Sequence, residues 1–228
     1  MTAAPPEETR RSLAAQRRYD RQAGFYDFIE VPWELLIYRG LRRRLWSQVA
    51  GARILEIGVG TGRNLPHHPA GARLVAVDLS PRMLRRAAGH ARRLNQELDL
   101  LLADAQRLPF RDGAFDAGAA TFVFCSVPDP VAGLQEVKRV VHAGGRVHLL
   151  EHVRASNPLI GRLMDLLNPI WVRLTGANIN RDTVANVQSA GIRLENVESR
   201  MGIMRLIRGS TEDQAAGEEA AAGAEEMV

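Results

Sequence analysis

Glycines alternate at positions 58, 60 and 62 in the run Arg53-Ile54-Leu55-Glu56-Ile57-Gly58-Val59-Gly60-Thr61-Gly62-Arg63-Asn64, and the acid Glu56 stands two residues ahead of the first. A backbone so bare lets a ligand approach its N–H groups closely, and a helix start just beyond it would face an electronegative group. A nicotinamide dinucleotide fingerprint, G-x-G-x-x-G, would place its third glycine where Arg63 stands. Here that glycine comes one residue early, and the spacing opposes hydride transfer. A second acid, Asp78, follows about 20 residues after the loop, where a carboxylate can accept both hydroxyls of a ribose. A third, Asp104, precedes Ala105. That acid could accept from a purine amino group, with the Ala105 N–H as a donor. Leu79, Met83 and Leu108 are apolar enough to wall a purine, and Phe122 could cover the ligand. His152 is a candidate base for an attacking amine, thiol or hydroxyl if its pKa stays near neutral. The single cysteine, Cys125, reads as a packed thiol, because a nucleophile would need an activating base or an electropositive site.

These residues fall at the ends of strands in an alternating pattern. The apolar run 53–58 suits a strand buried on both faces, and 63–68 begins a helix or turn. Strands are expected over 74–78, 98–103, 115–124 and 146–151. Ser80 caps a helix with Pro81 in its first position. A helix over 131–141 is expected to stop at Gly144-Gly145. Residues 156–177 are apolar and interrupted by proline, 181–190 reads as a helix, and 192–208 as two final strands. Strands alternating with helices imply a parallel sheet wound on both faces, and such sheets bind ligands beyond the carboxyl ends of their strands. Asp116, at the opposite end of its strand, is expected to be structural.

Bulk properties bound the class. The 228 residues suit one domain with a full core, and 46% hydrophobic with 25% charged residues is an ordinary globular composition. No apolar run is long enough to span a membrane, no secretory signal is visible at the start, and one cysteine excludes an internal disulfide and a cysteine-rich metal site. No metal is expected, and the cytoplasm is the expected compartment. Net charge is +4, yet residues 211–228 hold six acids and no base, so the rest carries 30 basic against 20 acidic residues. Arginines 10, 11, 17, 18, 21, 39, 42, 43 and 44 make a basic N-terminal flank suited to anionic lipid, nucleic acid or an acidic partner. Residues 1–10 and the acidic, alanine-rich 211–228 are expected to be disordered.

The order E-x-G-x-G-T-G, an acid after the second strand, Asp-Ala after the third, the segment Phe110–Asp116 and the segment Glu136–Gly145 resembles class I S-adenosylmethionine (SAM) methyltransferases of the type 11 group. Relatives usually carry proline where Ala143 stands. The resemblance covers roughly residues 19–208. It implies a Rossmann-like α/β fold: a seven-stranded, mostly parallel sheet with helices on both faces and the last strand antiparallel. It also implies SAM as cofactor, held by Glu56, Gly58, Gly60, Thr61, Gly62, Asn64, Asp78, Leu79, Met83, Asp104, Ala105 and Phe122. Tyr19-Asp20 and Phe25-Tyr26-Asp27 resemble the family's Y-D segment, which closes over the cofactor, making Tyr19 and Tyr26 candidate lid residues beside the candidate base His152. The domain is expected over 11–210, with a basic helical lid at 11–50 and an acceptor-site insertion at 155–180.

The group includes phospholipid N-methyltransferases, alkyl thiol methyltransferases and quinone C-methyltransferases. Phe124-Cys125-Ser126-Val127, Glu151-His152-Val153 and Asn178–Arg181 look like the thiol subgroup, and the apolar 156–177 suits a greasy acceptor or a membrane contact. The expected reaction is methylation of a lipophilic acceptor, a phospholipid amine such as phosphatidylethanolamine being the leading case. Methylation of a small thiol or a quinone carbon is the alternative. Peripheral contact with an anionic membrane on its inner face, a monomer or weak dimer, and no nucleic acid are expected. Two other classes compete: a nicotinamide oxidoreductase, and a non-catalytic lipid-binding module on the same fold.

Overall fold

A computed structural model describes residues 6–212, with the side chains of residues 8, 25–33, 35 and 36 outside that description. The elements run α1 (Glu7–Trp33), a π-helical turn (Glu34–Tyr38), α2 (Arg39–Trp46), β1 (Arg53–Ile57), a 3-10 turn (Leu65–His67), β2 (Arg73–Asp78), α3 (Pro81–Leu94), β3 (Asp99–Leu102), β4 (Phe115–Thr121), α4 (Pro130–Val140), β5 (Val141–His152), α5 (Pro158–Thr175), α6 (Thr183–Ser189), β6 (Arg193–Arg200) and β7 (Met204–Ser210). The seven strands form one sheet in the order β3-β2-β1-β4-β5-β7-β6. β1 to β5 are parallel, and β7 runs antiparallel between β5 and β6. This is the Rossmann-like sheet that the sequence implied. The strand order reverses beside β1 and β4, which opens a crevice at their carboxyl ends.

Alternation along the strands sorts the core into two layers. Leu55, Ile57, Val75 and Val77 pack with Leu134, Val137 and Val187 of α4 and α6. Ile54, Leu74, Ala117 and Leu150 face the other way, onto Leu45 and Trp46 of α2. β4 is built of small residues because a helix lies close on it. A Cβ on Gly118 would sit 3.1 Å from Val137 Cγ1.

Three boundaries differ from the sequence reading. α1 already starts at Glu7, inside the stretch expected to be disordered, and Glu7 pairs with Arg11 one turn on. β4 stops at Thr121 rather than running to 124, because Phe122 turns to φ +59° and leaves the sheet. β5 starts at Val141, and Gly144-Gly145 do not end the helix. They form an irregular stretch inside the strand, with Gly144 at φ +80°. A Cβ on Gly145 would come within 2.8 Å of the Asp116 carbonyl. Most of the acidic 211–228, from 213 onward, lies outside the described residues.

Candidate active site

The crevice above β1, β2 and β4 is a cavity lined by Gly58, Gly60, Asp78, Leu79, Met83, Asp104, Ala105 and Phe122, with Ala15 and Tyr19 of α1 across it. Eight of the twelve candidate cofactor residues therefore share one space. Glycine is required at all three alternating positions of the loop, each at positive φ. Gly60, at φ +56°, has open space where a Cβ would be, while a Cβ on Gly58 would meet Val123 at 2.4 Å. The loop is followed by a single 3-10 turn, not by the α-helix that the sequence allowed. The N–H groups of Gly58 and Val59 donate to Val77 O, that of Gly60 to Asp78 and that of Gly62 to Val59 O. The loop therefore offers the cavity the bare glycine surface at 58 and 60 rather than a row of open donors or a helix dipole.

Asp78 ends β2 with both oxygens engaged. Gly60 N–H donates to Oδ2 at 2.8 Å and Ser80 N–H to Oδ1 at 2.8 Å. Burial raises its pKa to about 6 despite those donors. Each oxygen keeps a further lone pair, which fits it to accept from ligand hydroxyls. Asp104 accepts from Gln106, by the backbone N–H at 3.0 Å and by Nε2 at 3.1 Å. The Gln106 amide also donates to Ser12 Oγ of α1 at 2.9 Å and accepts from Asp129 N–H at the start of α4. Gln106 therefore ties the third acid to the lid and to the next helix. It lies in the segment singled out in the sequence, but nothing in its type marks it.

The remaining four cofactor candidates lie elsewhere. Glu56 and Asn64 are buried beneath the loop. Asn64 Nδ2 donates to Glu56 Oε1 at 2.6 Å and to Thr121 Oγ1 at 2.8 Å, and His68 Nε2 holds Glu56 Oε2 at 2.9 Å. Arg42 completes this network, donating to Thr121 Oγ1 at 2.6 Å, Asn64 Oδ1 at 3.0 Å and Glu34 Oε2 at 3.1 Å. A buried charge is tolerable only when paired in this way. Gly62 packs on Leu65 and Ala87, and Thr61 faces a separate groove beside Arg85, Arg86 and Arg93. Glu56 and Asn64 thus brace the loop from below.

Of the candidate base and its neighbours only Phe122 lines the cavity. It stacks on His152 at 4.5 Å and lies 4.8 Å from Tyr38, whose hydroxyl is 3.4 Å from His152 Nε2. The Arg42 guanidinium sits 5.3 Å from the centre of the Phe122 ring. Burial, and then the charge of Arg42, pull the His152 pKa down to about 4. The near-neutral histidine that the sequence suggested is therefore corrected to an imidazole neutral at physiological pH. The backbone of Phe122, a non-glycine residue at positive φ, is strained where the cavity wall begins. Tyr38 was missed because it reads as one more apolar helix residue, and Arg42 because it hides in a run of surface arginines.

Glu151, directly before His152, shapes the cavity wall. Its carboxylate accepts from the N–H groups of Val123 (2.9 Å), Phe124 (3.0 Å) and Cys125 (3.3 Å). Burial raises its pKa to about 7. Cys125 is buried, and burial followed by the Glu151 charge pushes its thiol above the ordinary range, which leaves it inert. Asp116 accepts from Ala52 and Arg53 N–H at the far end of β1, the structural place expected for it.

α1 closes the cavity from above. Asp20 accepts from Ser80 Oγ and Arg82 N–H at the start of α3. Gln22 donates to Leu174 O at the end of α5. Tyr19, just before these anchors, lines the cavity and hydrogen-bonds Ser126, and burial raises its pKa, so the phenol stays protonated. The side chain of Tyr26 lies outside the described residues. Asn180 donates to Asp165, and Arg181 to Val127 O, while Asp182 caps α6.

The family model for a methyltransferase domain matches residues 55–149. The chain is 37% identical over 151 residues to a demethylmenaquinone methyltransferase of Clavibacter sepedonicus, covering 62% of this chain and 60% of that one. It is 35% identical over 151 residues to a phosphatidylethanolamine N-methyltransferase of Cereibacter sphaeroides, covering 64% and 72%. It is 30% identical over 169 residues to a thiol S-methyltransferase of Homo sapiens, covering 68% and 69%. The match to the Clavibacter protein thus spans less than two thirds of that relative's length. Among solved structures, a SAM-dependent methyltransferase of Thermotoga maritima superposes with a TM-score of 0.69 at 21% identity, over 87% of this chain and 100% of that one, and shares the fold.

Proposed function

The chain belongs to the SAM-dependent methyltransferases, and we propose that it transfers the methyl group of SAM to a lipophilic acceptor, in the first place a phospholipid amine such as phosphatidylethanolamine. The observation that carries the cofactor side is the shared cavity at three strand ends: the Gly58–Gly60 backbone, Asp78, and Asp104 with Ala105. Gly58 and Gly60 would take the amino-acid end, Asp78 the ribose hydroxyls, and Asp104 with the Ala105 N–H the adenine, between Leu79 and Met83. SAM supplies a sulfonium methyl that is already electrophilic, so the protein's work is positioning and exclusion of water.

The residues present suit that task. Tyr19, kept protonated, and Ala15 cover the cavity. Phe122, His152 and Tyr38 offer a mostly apolar wall with one neutral imidazole, which can accept a hydrogen bond from an attacking amine without holding its proton. Relatives that methylate a phospholipid amine, a thiol and a quinone support a greasy acceptor without choosing among them. A small thiol or a quinone carbon is the second reading, since relatives of both kinds stand beside the phospholipid enzyme. Peripheral contact of the basic N-terminal flank with the inner face of an anionic membrane belongs to the same proposal, as does a monomer or weak dimer. Titration calorimetry with SAM, S-adenosylhomocysteine and NADH tests the cofactor. Binding of the first two, with Asp78→Ala weakening both at least about tenfold, is expected. NADH binding alone would return the chain to the oxidoreductase reading.

A further inference from the structure

α5 carries an apolar surface with no partner among the described residues. Of its eighteen residues only Gly161 is buried. Leu159, Ile160, Leu163, Leu166, Leu167, Ile170, Trp171 and Leu174 are all exposed, with Leu159 and Leu166 each 74% exposed. At 3.6 residues per turn these eight side chains fall on one arc of about 140°. The opposite arc, including Met164, Asn168 and Val172, is turned to the body of the protein. Asn168 donates to Asn178 and accepts from Ile179 N–H there. The helix does not cover the sheet. Surface apolar residues scattered singly need no explanation, but eight on one helix face do.

The charges around this face identify what it meets. Arg162 and Arg173 are exposed and project along one edge of the apolar arc. The acid on the helix, Asp165, is held by Arg154 at 2.9 Å. α1 adjoins the far end of α5. A Cβ on Gly176 would come within 2.7 Å of Arg18 Cδ, and Gln22 bonds Leu174 O. Arg10, Arg11, Arg17 and Arg21 are exposed along α1. No helix among the described residues is long and apolar enough to cross a membrane.

We propose that α5 docks the protein on an anionic phospholipid bilayer, lying in the interface with its outer apolar arc immersed and Arg162 and Arg173 at the level of the phosphates. An apolar arc edged by arginine is the pattern of a helix that lies on a membrane. A second copy of this chain fits less well, because pairing α5 with α5 would bring four arginines to one seam whose acid is already engaged. The loop after α5 is fastened to the cavity wall. Asn178 donates to the Cys125 carbonyl from its N–H at 2.8 Å and from Nδ2 at 3.0 Å. Docking therefore brings the cavity wall at 126–128 toward the lipid surface. The proposal rests on the lipophilic-acceptor reading for its purpose, but docking is measurable without any acceptor.

Full-length protein is sedimented with phosphatidylcholine vesicles and with vesicles containing about one third phosphatidylglycerol. Wild type is expected to bind the anionic vesicles more tightly and to be released by high salt. Leu166→Glu combined with Ile170→Glu is expected to lose at least about tenfold in vesicle binding. S-adenosylhomocysteine affinity should be unchanged, which shows that the variant folds. Vesicle binding equal to wild type in that variant would overturn the proposal. So would a wild type that binds neither vesicle, or one that is a dimer in light scattering and is split by the variant. A protein that docks through α5 yet methylates no lipid would keep the docking and remove the acceptor reading. Lipid methylation with no loss in the variant would do the reverse.

Discussion

On the proposed ribose assignment, Asp78 sets the pH range in which the cofactor binds. Its folded pKa of about 6 is raised by burial, so for this group alone the apo fold is favoured more below that pH than above it. Binding has the opposite sign. Ribose hydroxyls donate to the ionised carboxylate, so affinity is full above about pH 6 and falls as pH drops through it, by up to about tenfold per unit. Calorimetry with S-adenosylhomocysteine from pH 8 to pH 5 checks this, and a flat affinity would count against the ribose assignment. His152 leads to a different expectation. With a pKa near 4 it titrates below the working range, so turnover should show no break from it between about pH 5 and 8. His152→Ala should lower kcat about tenfold or more and leave SAM affinity within about twofold. A kcat equal to wild type would remove His152 from the site. The glycines and acids at the strand ends were legible because their types alone imply a nucleoside ligand. The depressed histidine was not, because its burial and the nearby Arg42 come from elements far away in the chain.

The strands and helices hold these groups through a few polar ties that local patterns do not show. Glu151 is fully buried and takes three backbone N–H groups from the turn after β4. Glu151→Ala strands those donors and should cost about 2 to 4 kcal/mol, read as a lowered urea midpoint with an unchanged slope. Gln106 joins Asp104 to Ser12 of α1 and to Asp129 of α4. Gln106→Ala should therefore speed hydrogen exchange in the first half of α1 and raise the SAM dissociation rate. Exchange equal to wild type would mean that Asp20 and Gln22 hold the lid without Gln106. The alternation of apolar strands and amphipathic helices announced the doubly wound sheet, and Ser80-Pro81 marked its helix start correctly. The early end of β4 and the glycines inside β5 were hidden. Both depend on contacts between elements: the Phe122 turn under Glu151, and the Gly145 backbone against the Asp116 carbonyl.

At the scale of the whole molecule, the carboxyl edge of the sheet carries the cavity proposed for the methyl donor, α1 spans the opening, and α5 presents an apolar surface beside a basic helix. The sequence suggested each part singly. Its charge count treated the N-terminal arginines as one patch, whereas the fold buries Arg42 among polar partners and leaves its neighbours exposed. Its apolar segment after β5 was open between an acceptor site and a membrane contact, because hydropathy alone cannot tell which side of a helix has a partner. The account's central claim is methyl transfer from SAM to a lipophilic acceptor. The direct measurement is transfer of labelled methyl from SAM to a panel of phosphatidylethanolamine vesicles, a long-chain alkyl thiol, a demethylated quinone and a small water-soluble amine. Label in a lipophilic member of the panel, foremost on the phospholipid nitrogen, is the predicted result. Label confined to the water-soluble amine, or transfer to none of the four by protein that binds SAM, would contradict it.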